Sequence, residues 1–181
     1  EKTFCVPVVA ACDVTNPLFG VDGAAYVFAP QKGANAEQVG LLDRGLHHMA
    51  DILKRDLNFD SENLPGAGAA GGLGAGAAAF LNAELRSGID IVLDEFGFDK
   101  FAANADVVIT GEGRFDSQSV NGKEMSGVCK RAAKAGAKVY AVCGCASNDA
   151  DPAALGIEKL FVSSDGTHSM DELRQVPWRR K

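Results

Sequence analysis

The sequence predicts an α/β protein whose core is a parallel sheet with crossover helices. Two observations carry that expectation. From residue 89 onward, short runs rich in Val and Ile alternate with stretches of helical periodicity, the pattern of successive βαβ units. The runs themselves are almost wholly apolar rather than alternating, as strands covered on both faces are. No internal repeat and no long linker interrupts this order.

The elements follow in chain order. Residues 4–11, with Phe4, Val6, Val8 and Val9, predict a buried strand that ends at Asp13 before the Asn16-Pro17 break. Residues 23–28 are open: Asp22 is placed to cap a short helix, and Tyr26-Val27-Phe28 equally suits a strand. Residues 36–57 predict the clearest helix. Asn35 and Gln38 form a capping box, and Val39, Leu42, Leu46, Met49 and Leu53 recur at spacings of three and four. A glycine-rich segment fills 64–76, followed by an Ala-rich helix with Phe80, Leu81 and Leu85 on one face and Gly88 as its C-cap. Strands are expected at Ile89–Leu93, Ala105–Thr110, Lys138–Cys143 and Ile157–Val162. Asn121 with Glu124 caps a helix to about Ala135, and Ser169 with Glu172 opens a last helix that meets Pro177.

Composition narrows the function. The 181 residues carry a net charge of -6, 46% apolar residues and 23% charged residues, which suits a packed core and excludes disorder. An acidic chain whose single basic run is Arg179-Arg180-Lys181 argues against a nucleic-acid partner. No apolar stretch is long enough to span a bilayer and no signal peptide is visible, so a cytoplasmic protein without a membrane partner is expected. The five cysteines show no C-x-x-C spacing, as in a reduced protein. Cys143 and Cys145 read as two buried thiols at a strand end. His47 and His48 point about 100° apart on their helix and do not chelate one ion.

Three segments carry residues suited to chemistry. Gly66-x-Gly68-x-x-Gly71 matches the dinucleotide fingerprint letter by letter, but Asn63-Leu64-Pro65 stands where a strand must precede it. A glycine turn entering a helix exposes N–H groups to an anion, or else serves close packing. The second segment is Ile109-Thr110-Gly111-Glu112-Gly113-Arg114-Phe115-Asp116-Ser117-Gln118-Ser119, with Gly122-Lys123 after it. It is expected as a loop beyond the carboxyl end of a parallel strand, where open α/β sheets bind ligands. Its carboxylates suit Mg²⁺ or a hydroxyl proton, and its cations suit phosphate. The spacing from Gly113 to Lys123 is not that of a Walker A loop. The third is Cys12-Asp13-Val14-Thr15-Asn16-Pro17-Leu18, with Pro30-Gln31-Lys32-Gly33 following.

Together these segments resemble the bacterial-type glycerate kinase family. The resemblance rests on Asp13-Val14-Thr15-Asn16-Pro17-Leu18, Phe28-Ala29-Pro30-Gln31-Lys32-Gly33-Ala34, the glycine segment from Leu64, Ser87-Gly88-Ile89-Asp90, and Ala105 through Ser119. It extends over residues 8–165. It implies an enzyme that phosphorylates D-glycerate with ATP and Mg²⁺, with 2-phosphoglycerate the favoured product. It also implies two lobes: residues 1–88 in an inserted lobe likened to restriction endonucleases, and 89–181 in an incomplete flavodoxin-like α/β lobe. Members are roughly twice this length. A portion before Glu1 and a long terminal helix are therefore expected to be missing.

The resemblance selects the site residues, and residue chemistry suggests their roles. Asp13 is the candidate for accepting the hydroxyl proton, with Asp116 its rival. Asp116 or Glu112 is the candidate Mg²⁺ ligand. Lys123, Arg114 and Lys32 are expected to meet phosphate or carboxylate. The N–H groups of Gly66, Gly68, Gly71 and Gly72 are expected to cradle an anion. Asn16, Gly111, Gly113, Ser117, Gln118 and Ser119 complete the substrate- and phosphate-binding set. All are expected to converge on one crevice. A homodimer is left open. The alternatives are a non-catalytic remnant of such a kinase and a dinucleotide-dependent oxidoreductase fragment.

Overall fold

A computed structural model describes residues 6–117, 119, 123–147 and 149–164. The chain divides into two compact units, Glu1–Ile91 and Val92–Lys181.

In the first unit, β1 (Val9–Ala11) pairs in parallel with β2 (Glu84–Arg86), Val9 opposite Glu84 and Ala11 opposite Arg86. The ladder continues as the Cys12 N–H donates to the Arg86 carbonyl at 2.7 Å. Between the strands run α1 (Ala24–Phe28), a 3-10 turn (Pro30–Lys32), α2 (Ala36–Leu57), a second 3-10 turn (Ala69–Gly71) and α3 (Leu73–Leu81). The start of α2 is set locally. Asn35 Oδ1 accepts the Gln38 N–H at 2.9 Å, and Gln38 Oε1 accepts the Asn35 N–H at 2.9 Å, so two orphan donors are satisfied. Asn58 ends it in the left-handed conformation. The core of this unit is small: Leu18, Ala50, Ala67 and Ala75, with Phe19, Leu46 and Leu64 against it. Alanines and glycines fill it, so its cohesion comes from close backbone approach.

The second unit is built on a three-stranded parallel sheet, β3 (Val107–Phe115), β4 (Lys138–Ala146) and β5 (Ile157–Val162), in that spatial order. Helix α4 (Gly88–Glu95) straddles the division, followed by α5 (Phe98–Ala102). Helix α6 (Lys123–Lys134) crosses between β3 and β4. It covers one face of the sheet. Met125, Cys129 and Ala132 pack there with Val139, Ala141, Cys143, Ile157 and the fully buried Phe115. Arg131 on α6 holds Asp94 at 2.6 Å and Asp99 at 3.4 Å. No described helix covers the opposite face, where Tyr140 and Phe161 meet edge to face. Ile109 is 71% exposed, with Val142 and Phe161 also exposed.

Several expectations are corrected. Residues 89–93 form helix α4 rather than a strand. Ile89, Ile91 and Val92 favour strands locally, but Asp13 Oδ1 accepts the Gly88 N–H at 2.9 Å and caps the helix from a distant stretch. The strand of this region is β2, just before it. Gly88 is not the C-cap of the Ala-rich helix; Asn82 is, at φ 51°. That helix buries Gly74, Ala75 and Ala78, while Phe80 is 62% exposed and Leu85 lies in β2. Residues 6–8 precede β1 rather than extending it, and Val9 is exposed. Residues 23–28 are helical, with Gly23 at the N-cap and no side-chain cap from Asp22. On α2 the expected apolar stripe is half covered, since Leu42 and Met49 are exposed. The Asn121 cap and the helix expected from Ser169 lie outside the described residues.

The largest correction concerns residues 111–115, expected in a loop. They belong to β3, paired through Gly111 opposite Val142 to Phe115 opposite Ala146. The glycines read as loop residues because Gly seldom stabilises a strand. Here they permit closeness: a Cβ on Gly111 would stand 2.4 Å from the Val142 carbonyl oxygen, and one on Gly144 would stand 2.6 Å from that of Gly113.

Candidate functional site

The sequence-selected residues fall into two groups, one in each unit. In the first, Asp13 leaves the end of β1 and turns toward the start of α4. Its Oδ1 accepts the Gly88 N–H and lies 3.4 Å from the Ser87 hydroxyl. The carboxylate is thus fixed at a helix N-terminus, where the dipole favours negative charge. Asn16 turns inward: its side-chain amide donates to the Asp22 carbonyl at 2.8 Å, and its own carbonyl accepts the Gly68 N–H at 3.0 Å.

The glycine segment lies directly on this stretch. A Cβ on Gly66 would stand 2.7 Å from Cys12 Sγ, and one on Gly68 would stand 2.1 Å from the Pro17 carbonyl oxygen. A Cβ on Gly74 would stand 2.2 Å from the Gly66 carbonyl oxygen. These glycines bring strand exit, turn and helix into backbone contact. Gly71 and Gly72 adopt positive φ instead, 74° and 104°. The N–H groups of Gly68, Gly71 and Gly72 bond to the carbonyls of Asn16, Gly68 and Ala69. Helix α2, not a strand, is the last regular element before Gly66, so the dinucleotide fingerprint lacks its context. Beside the segment, Lys32 and Gly71 line a cavity of about 540 Å³ whose walls are Ala24, Phe28, Leu42 and Leu46.

In the second unit the residues cluster at the carboxyl end of β3. Phe115 is buried and anchors the strand end. Its neighbours project outward: Arg114 Nε lies 3.3 Å from Asp116 Oδ2. Asp116 and Ser119 cap one another. The Asp116 N–H donates to Ser119 Oγ at 3.1 Å, and the Ser119 N–H donates to Asp116 Oδ1 at 3.2 Å. Ser119 Oγ in turn donates to the Arg114 carbonyl at 3.3 Å. Lys123 opens α6. Gln118 lies outside the described residues.

Glu112 differs from the rest of its motif. It sits within β3 opposite Cys143, and its Oε1 is buried with no hydrogen-bond partner among the described residues. Four residue steps, about 13 Å of extended chain, separate it from Asp116. Among the described residues, no three His, Cys, Asp or Glu side chains are grouped to hold a metal ion.

Two residues of this cluster escaped the sequence reading. Ser147 and Asp149 follow the carboxyl end of β4, and the Ser147 N–H donates to the Phe115 carbonyl at 2.9 Å. The signal was the rule that ligands sit beyond the strand ends of a parallel sheet, applied to β4 as well as β3. Of the two thiols expected to be buried on β4, Cys143 is buried and Cys145 is only partly so. Burial raises the Cys129 and Cys143 thiols above the ordinary range, with the Glu112 carboxylate adding to it. At pH 8, iodoacetamide is expected to alkylate Cys145 at least tenfold faster than Cys129 or Cys143, as read by peptide mass spectrometry. Equal rates would contradict the packing around α6.

The chain is similar to known proteins over most of its length. The model of the glycerate kinase family matches residues 2–179. The chain is 45% identical over 172 residues to the glycerate kinase of Bacillus cereus, covering 94% of this chain and 45% of that one. It is 43% identical over 169 residues to glycerate 2-kinase of Escherichia coli K12, covering 93% and 44%. A crystal structure from Salmonella typhimurium LT2, named for glycerate kinase 2, superposes with a TM-score of 0.72 at 44% identity, over 86% of this chain and 40% of that one. The chain thus spans less than half the length of the relatives it matches.

Proposed function

The chain belongs to the glycerate kinase family, and from that premise we propose that it carries part of an ATP-dependent kinase that phosphorylates D-glycerate, forming 2-phosphoglycerate. The family match along almost the whole chain is the observation that carries this reading. The E. coli relative's name, glycerate 2-kinase, supports the 2-position. No helix among the described residues is long and apolar enough to cross a membrane, and a cytoplasmic setting is part of the proposal. So is the assignment of residues 1–88 to an inserted lobe and 89–181 to a flavodoxin-like lobe.

In the proposed reaction a glycerate hydroxyl oxygen attacks the γ-phosphorus of ATP in line. The bond to the bridging oxygen breaks, ADP leaves, and the hydroxyl proton passes to a carboxylate. Asp13 is assigned as that acceptor, because its position is fixed by two partners at a strand exit and a helix start. Arg114, Lys123 and Lys32 are assigned to neutralise phosphate or carboxylate charge, and positioning supplies most of the acceleration. The apolar cavity beside Lys32 and Gly71 has the size and lining that ligands occupy.

The donor set fits Mg²⁺, which takes one or two carboxylates and keeps its remaining positions for water and phosphate. Asp116 would hold it; Glu112, about 13 Å away along the strand and with an Oε1 that has no hydrogen-bond partner among the described residues, is the alternative ligand rather than a joint one. When bound, the ion would offset charge on the phosphate oxygens.

The test is glycerate-dependent ADP formation, assayed with the chain alone and after fusion to the portion of the B. cereus kinase that it does not match. Turnover in either arm is expected. Absence in both, with the chain folded, would overturn the reading.

A further inference from the structure

The cavity of about 540 Å³ in the first unit is walled by α1, α2 and the glycine segment. Ala25 and Phe28 of α1, Leu42 and Leu46 of α2, and Gly71 all line it. Among the described residues lining it, Lys32 is the one polar side chain, and it has no ion pair among those residues. Its place is set by the backbone. The Lys32 N–H donates to the Ala29 carbonyl and the Gly33 N–H to the Pro30 carbonyl, both at 3.0 Å, in a turn that Pro30 starts.

Gly45 adds a second observation. It lies inside α2, where glycine is the poorest helix former after proline. A Cβ there would meet nothing within 4 Å, so no packed neighbour demands glycine. Gly45 lines the cavity, and its missing side chain leaves that volume open.

Of the two substrates in the kinase reading, one fits this hollow. Glycerate carries a carboxylate and two hydroxyls on three carbons, and apolar walls would leave the hydroxyls without partners. A nucleotide carries a flat aromatic base whose faces bury well against Phe28, Leu42 and Leu46. It also carries phosphates, which a lysine holds as a point charge. The walls offer no side chain to read the polar edge of the base, and strong discrimination between bases needs such groups.

We propose that this cavity seats the base of the nucleotide by its faces, with Lys32 meeting the phosphates, and that it accepts adenine and guanine alike. The assignment rests on the kinase reading above, which supplies the nucleotide.

The experiment is a calorimetric titration of the chain with ADP, GDP and inorganic pyrophosphate, which has no base. ADP is expected to bind at least tenfold more tightly than pyrophosphate, with GDP within about threefold of ADP. Gly45→Leu places a side chain in the cavity. It is expected to weaken ADP about tenfold, toward the pyrophosphate value, while the urea midpoint stays at or above wild type, because leucine favours the helix. Lys32→Met, which keeps the apolar stem, is expected to weaken ADP and pyrophosphate alike. ADP binding no tighter than pyrophosphate, or absent, would overturn the inference. So would an ADP affinity untouched by Gly45→Leu, or a tenfold preference for one purine. A Gly45→Leu chain that loses stability and ADP together would mark a merely structural glycine. Should that variant fail to fold, Lys32→Met decides, and an unchanged ADP affinity counts against the site. Turnover with an ADP affinity blind to both substitutions sinks this assignment and leaves the kinase reading standing. Cavity-dependent ADP binding with no turnover, in the chain or the fusion, does the reverse.

Discussion

Gly68→Ala is expected to destabilise the first unit by about 3 kcal/mol or more. The added methyl would stand 2.1 Å from the Pro17 carbonyl oxygen and 3.1 Å from that of Asn16. Both obstacles are backbone, so no side-chain rotation relieves them. The Gly68 N–H also donates to the Asn16 carbonyl at 3.0 Å, and any retreat lengthens that bond. Two neighbouring glycines separate this effect from others. A Cβ on Gly71 meets nothing within 4 Å, but its φ is 74°. Gly71→Ala should therefore cost only the left-handed strain, about 1–2 kcal/mol. Gly76 lies inside α3 with open space around it. Gly76→Ala should stabilise by up to about 1 kcal/mol, because alanine loses less backbone entropy in a helix. Urea denaturation of the three variants checks the order. A Gly68→Ala chain as stable as Gly76→Ala would show that the glycine turn does not press on the Asn16-Pro17 stretch. Because Asp13 lies just upstream, the same substitution should also loosen the candidate proton acceptor.

These effects show which parts of the molecule could be read from local sequence. The start of α2 was legible because Asn35 and Gln38 satisfy each other within four residues, with no help from elsewhere. The strand at Lys138 was legible because Val139 and Ala141 are buried under one helix. Residues 89–93 were misread because their cap, Asp13, arrives from a stretch that sequence spacing does not reveal. The length of β3 was hidden for a related reason. Gly111 and Gly113 look like loop residues alone, and become strand residues only when β4 lies against them. Ser147 and Asp149 were missed because their place beside the end of β3 depends on register. Phe115 faces Ala146 across the ladder, and that places the residues after Ala146 beside Ser117. The motif from Gly111 to Ser119 was legible as chemistry, but its partners lie beyond the range of local pattern.

The substitution of Asp116 carries the largest expected effect on turnover. Its carboxylate has two tasks that different replacements separate. One is structural: Oδ1 accepts the Ser119 N–H and closes the turn after β3. The other is electrostatic, since Oδ2 lies 3.3 Å from Arg114 Nε. Asp116→Asn keeps an oxygen for Ser119 and removes the charge. Asp116→Ala removes both, and the lost cap should cost about 1 kcal/mol of stability. If the charge serves phosphoryl transfer, by holding Mg²⁺ or orienting Arg114, both variants should lose about 100-fold or more in kcat/KM for glycerate-dependent ADP formation. Their stabilities should differ while their activities do not. The opposite split, with Asp116→Asn near wild-type turnover and only Asp116→Ala impaired, would reduce Asp116 to a turn-closing residue. The metal role would then fall to Glu112, whose buried oxygen has no hydrogen-bond partner among the described residues. Mg²⁺ titration of each variant's turnover adds a further distinction. A ligand to the ion should raise the Mg²⁺ concentration needed for half-maximal rate, whereas a residue that only orients Arg114 should leave that midpoint unchanged and lower the plateau.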